Sequence, residues 1–131
     1  MKSTELRIGN FVKVENDYEI IQGLHGHEAL CALDIKLFDT FGVWQNYKDI
    51  QSIQLTEKWL IKFGFKKWGS YTNLWKRYST TNCTVRSDAS AISRNNCYFI
   101  LNEDYRVDIE FVHQLQNLYY ALTGDELVLA V

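Results

Sequence analysis

The hydrophobic period limits this chain more than any other feature. Between Leu6 and Ile109 apolar residues fall in short alternating runs closed by polar turns, and the spacing lengthens to that of a helix only around Leu55–Phe65 and again after Phe111. A chain patterned this way builds sheet from most of its length and covers it with few helices, an α+β arrangement. Its 131 residues, 47% apolar and 15% aromatic, carry enough side-chain surface for one domain or two small lobes. Pro is absent, which removes the usual marker of a flexible joint.

In the first part, Arg7–Val14, a turn at Glu15-Asn16-Asp17 and Tyr18–Gln22 predict a hairpin. A third strand is expected at Ala29–Leu33 and another carrying Ile50 and Ile53, with Asp39–Gly42 as a loop. This density of short strands resembles a small SH3-like β module. We therefore expect residues 1–54 to form that module. Residues 55–131 then hold a helix, an antiparallel β meander, a C-terminal helix and a final strand at Glu126–Val131.

The first helix has clear punctuation. Thr56 suits an N-cap, Glu57 suits the positive end of the helix dipole, and Leu55 and Leu60 occupy staple positions. Gly64 can adopt the left-handed conformation that stops a helix, with Phe65 folding back toward Leu60 in a Schellman closure. Hairpins are expected at Phe65–Tyr78 and at Cys97–Ile109, with a short strand at Cys83–Arg86 between them. In the last helix Val112, Leu115, Leu118, Tyr119 and Leu122 form one apolar stripe, predicted to lie on the meander, while His113, Gln114, Gln116 and Asn117 face elsewhere.

Three segments carry a resemblance: Glu5-Leu6-Arg7-Ile8-Gly9-Asn10, the run Ile53–Leu60 with Phe63-Gly64-Phe65, and Val112–Gly124. Together they resemble a family of short uncharacterised proteins encoded in bacterial chromosomes, prophages and mobile elements. That family has no assigned activity, so the resemblance carries over no functional residue.

Charge is unevenly distributed, although the formal net charge is only -2. Residues 58–102 hold eight bases against one acid, residues 1–57 five against nine, and residues 103–131 one against six. Within the basic centre Lys58, Lys62, Lys66, Lys67, Lys76 and Arg77 interleave with Trp59, Trp68, Tyr71, Trp75 and Tyr78. Cations for phosphates beside rings for bases make this stretch a candidate surface for single-stranded nucleic acid or for a protein partner, a second copy of the chain included. The same alternation also arises when rings point into a core and lysines into water.

The polar residues His113, Gln114, Gln116 and Asn117 form a second candidate partner surface. His25 and His27, two apart and followed by Glu28, are a weak metal candidate, because the pair needs a distant third ligand and encloses a glycine that marks a turn. A small metal-dependent enzyme is the alternative they leave open. Cys31, Cys83 and Cys97 show no CxxC spacing and read as reduced thiols. P-loop, GxGxxG, HExxH and GxSxG patterns are absent, so a non-catalytic role without a cofactor is expected. No apolar run is long enough to cross a membrane as a helix, and the first residues mix acid and base, so we expect a cytoplasmic protein with no membrane partner.

Overall fold

Alternating side chains need a partner layer on one face of each strand, and a computed structural model shows how this chain supplies it. The model describes residues 3–33, 42–67, 74–76, 84–87, 97–101, 105–127 and 129. Among these residues, two five-stranded antiparallel sheets and two helices confirm the α+β class. The chain divides into two compact units, Met1–Ile53 with Val112–Asn117, and Gln54–Phe111 with Leu118–Val131. The first unit thus takes in the front half of the last helix, whereas the sequence predicted a division into 1–54 and 55–131.

In the first unit the strands β1 (Phe11–Val14), β2 (Asp17–Leu24), β3 (Glu28–Leu33), β4 (Val43–Asn46) and β5 (Ile50–Gln51) lie in the order β4-β3-β2-β1-β5. The β1–β2 hairpin closes on a two-residue turn, with Val14 opposite Asp17 and Glu15 at φ 55°. Leu6, Val12, Val14, Ile21, Ala29, Cys31 and Ile50 make its core, against which Tyr47 packs. A single 3-10 turn, Tyr47–Asp49, leads into β5, with the Asn46 side chain accepting from the Lys48 N–H at its start. The first strand is shorter than predicted because Arg7–Asn10 is a turn. The Asn10 N–H donates to the Arg7 carbonyl at 3.1 Å, and Gly9 has φ 96°, which fits glycine at the third position of a type II turn. β4 was not expected from the sequence. Of the loop predicted at Asp39–Gly42, only Gly42 is described.

In the second unit α1 (Glu57–Lys62) is stopped as its sequence predicts: Gly64 has φ 86°, Phe65 N–H donates to Leu60 O at 2.9 Å and Gly64 N–H to Ile61 O at 3.0 Å. Those two bonds are the Schellman pair. Thr56 is the N-cap residue, but its side chain makes no capping bond. The meander is β6 (Lys66–Lys67), β7 (Leu74–Lys76), β8 (Thr84–Ser87), β9 (Cys97–Leu101) and β10 (Tyr105–Ile109), in the order β10-β9-β8-β7-β6. The Leu55 N–H donates to Glu110 O at 3.0 Å, beside a bridge between Gln54 and Phe111. Of the final strand predicted at Glu126–Val131, the described residues Glu126, Leu127 and Leu129 are not in a strand, and the rest lies outside the described residues.

The helix α2 (Val112–Thr123) departs from its predicted stripe. Val112, Leu115 and Tyr119 are buried, but Leu118 is half-buried and Leu122 is 39% exposed. Val112 and Leu115 belong to the first unit and not to the meander.

Candidate functional site

The polar residues of α2 do not form an open surface. Gln116 is 1% and His113 2% exposed, Asn117 is half-buried, and only Gln114 faces water. The reason is local to the first unit. The Arg7–Asn10 turn leaves backbone groups that β strands do not satisfy, and the Gln116 amide answers two of them: its Nε2 donates to Gly9 O at 2.9 Å and its Oε1 accepts from Phe11 N at 2.8 Å. A neighbouring strand would offer the same donor and acceptor pair, so one side chain here replaces a peptide group.

Asn117 completes the lock. Its Oδ1 accepts from Asn10 Nδ2 at 2.8 Å and Arg7 Nε at 3.0 Å, and its Nδ2 donates to Glu5 O at 3.0 Å. Asn10 is wholly buried, and its own Oδ1 accepts from Arg7 N. The Glu5–Asn10 segment and the Gln116-Asn117 pair, quoted above for the family resemblance, are therefore two halves of one hydrogen-bonded clasp. This corrects the reading of His113, Gln116 and Asn117 as a contact surface: a buried amide is a satisfied structural group. Burial pushes the His113 imidazole below its ordinary range, with the Glu5 carboxylate pulling weakly the other way.

His25 and His27 lie in the β2–β3 connection and are exposed, as the turn reading of Gly26 required. The connection is held by His25 N–H to Glu28 O at 2.8 Å and by the Tyr47 hydroxyl, which donates to His25 O. Among the described residues no three His, Cys, Asp or Glu side chains are grouped to hold a metal ion. The His25 ring instead meets the Trp44 ring edge-on, with centroids 6.2 Å apart.

In the basic stretch Lys58, Lys62 and Lys66 are exposed, and the register sets Lys66 opposite Lys76 and Lys67 opposite Trp75. Trp59 is not a base-stacking platform: it is 5% exposed, it packs on Phe63, and Lys62 Nζ lies 4.6 Å from the centroid of its ring. Trp68, Tyr71, Arg77 and Tyr78 lie outside the described residues, and the side chains of Lys67, Trp75 and Lys76 are not described.

A feature the sequence reading missed is the outer side of the first sheet at β4. Register places Gly23, Leu30 and Trp44 in one row across β2, β3 and β4, after a bulge between Ile21 and Gly23. Gly42 makes room for this row, since a β-carbon there would fall 2.8 Å from Leu30 Cγ, whereas one at Gly23 would stand in ordinary contact, 3.7 Å from Trp44 Cη2. Trp44 is still 48% exposed and Val43 60%, with Leu24 and Leu33 also open to water. The signal was present as Gly42-Val43-Trp44, a β-branched and an aromatic residue after a glycine, but four residues without alternation were too short to stand out.

Two further groups show what burial does to charge. The Cys31 thiol is 1% exposed, and desolvation, aided by Glu19, pushes it up to about 11. Glu19 is itself raised, by burial first and then by the Asp17 and Glu15 carboxylates. An inert thiol follows from the first shift. Comparison of the chain with protein-family models, with curated proteins and with solved structures finds no match.

Proposed function

We propose that this chain is a non-catalytic interaction protein of the cytoplasm, with an SH3-like first unit that docks a partner at β4. The module reading is supported by the strand order β4-β3-β2-β1-β5, with one 3-10 turn between β4 and β5. The docking reading is carried by one observation: β4, the outermost described strand on its side of the first sheet, holds two consecutive large apolar side chains in water, Val43 at 60% and Trp44 at 48% exposure. Large apolar side chains held in water at a sheet edge are costly unless something covers them.

Photocrosslinking tests it. A photoreactive amino acid is placed at Trp44 in one variant and at Glu57, exposed on α1, in another, and both are expressed in cells. Adducts should form from position 44 and not from position 57. Equal labelling at both positions, or none at either, refutes the docking reading.

A further inference from the structure

Among the described residues, the two edges of the first sheet are unlike. β5 is blunted: it has two residues and follows Lys48 and Asp49. β4 has four, Val-Trp-Gln-Asn, with no charge, no proline and a regular register against β3. Antiparallel pairing turns alternate N–H and C=O groups of an outer strand away from its neighbour, and an edge without charge, proline or bulge is a template for another strand.

The side chains beside that edge narrow the choice of occupant. Partners in register share a face, so Glu28 sits with Asn46 and Leu30 with Trp44, and residues two apart on one strand share it too. Glu28 and Trp44 are therefore diagonal neighbours on one face, about 7–8 Å apart. Both are exposed. An indole face beside a carboxylate is suited to a Lys or Arg side chain, whose cation is attracted by the ring and completed by the charge. The field of the unit agrees, since residues 1–53 hold five bases against eight acids and 112–117 hold none of either.

Building on the docking reading, we propose that β4 takes an extended basic peptide as a sixth strand, with one Lys or Arg of that peptide lying over Trp44 toward Glu28. Strand addition supplies main-chain hydrogen bonds, and the Trp44–Glu28 pair supplies the choice of charge.

The test uses the full chain and fluorescein-labelled nonapeptides of alternating Thr and Lys, followed by fluorescence anisotropy. Two control peptides replace Lys with Glu or methylate the backbone nitrogens on one edge. The Lys peptide should bind at least tenfold more tightly than either control. Trp44→Ala should weaken it tenfold or more and Glu28→Gln about three- to tenfold, with Glu28→Gln melting as wild type and Trp44→Ala, which gives up its contact with the His25 ring, still folded at the assay temperature by circular dichroism. Equal affinity for the Lys and Glu peptides, undiminished binding of the methylated peptide, or an unaffected Trp44→Ala variant overturns the proposal. A dimer that sediments before peptide is added, and dissociates on Val43→Lys, assigns the edge to a second copy instead. In that case the basic-peptide proposal fails while the docking reading stands. Loss of the position-44 crosslink removes both.

Discussion

Replacing Gln116 with Leu tests the clasp most directly, because the two side chains have similar volume and the change removes polar atoms with little cavity. Gln116 is 1% exposed, and its amide serves Gly9 O at 2.9 Å and Phe11 N at 2.8 Å. Each backbone group left unsatisfied in the interior costs about 1–3 kcal/mol, so losing both should destabilise the fold by roughly 3–4 kcal/mol. For a domain stabilised by about 5–15 kcal/mol this is a large fraction. At about 4 °C per kcal/mol, interpolated for this length, the melting midpoint should fall by about 12–16 °C. The exposed neighbour is the control: Gln114→Leu should stay within about 0.5 kcal/mol of wild type. Gln116→Glu gives a second readout. Its carboxylate still accepts from Phe11 N but faces the Gly9 carbonyl without a donor, so its folded pKa is raised. The variant should then recover stability as pH falls from neutral toward about 4.3, with the recovery complete below that value, because the protonated carboxyl can donate. Urea titration gives the free energies, and hydrogen exchange at the Phe11 amide gives the location. A Gln116→Leu protein within about 1 kcal/mol of wild type, with Phe11 exchange unchanged, refutes the reasoning.

Other measurements address the remaining shifts and turns. Gly64→Ala forces a β-carbon into the φ 86° conformation and should cost about 1–2 kcal/mol by urea titration. Gly26→Ala, with no atom within 4 Å, should be neutral or slightly stabilising. Since the folded pKa of His113 is lowered, its contribution is fully present above about pH 6.5 and is lost as pH falls. Melting curves from pH 8 to 5 should show a decline that His113→Gln, if it folds, lessens, and an identical decline in both proteins counts against it. Glu19 has the opposite sign: its folded pKa is raised, its contribution is present at acid pH and lost as pH rises, so Glu19→Gln should melt higher at pH 7 and converge with wild type near pH 4. With its thiol at about 11, Cys31 should resist iodoacetamide at pH 8 in the folded chain and react in guanidinium, read by mass spectrometry of its peptide. Equal labelling in the two states would show that the site is open.

Local chemistry explains which features were legible. The Schellman stop at Gly64-Phe65, the turn after Val14 and the strand pair within Cys97–Ile109 depend on residues adjacent in sequence, and each appears where the pattern predicted, whereas the turn of the Phe65–Tyr78 hairpin lies outside the described residues. The Thr56 cap was placed correctly, but its hydroxyl makes no capping bond. α2 was misread for a different reason. Its periodicity marks a helix, but an amide sequence looks the same whether it meets water or a turn 107 residues away, as Gln116 meets Gly9.

Sequence alone therefore determined the α+β class, the stopping point of α1 and the consecutive antiparallel pairing of the meander, all settled by φ preferences and alternation over a few residues. Tertiary structure decided the rest: that Gln116 and Asn117 are clasped inside the first unit, that Trp59 is core under Lys62, and that Trp44 is half exposed on an outermost described strand. The physical reason is that burial and hydrogen-bond satisfaction belong to the surroundings a side chain meets, and those surroundings are assembled from residues far apart in the chain.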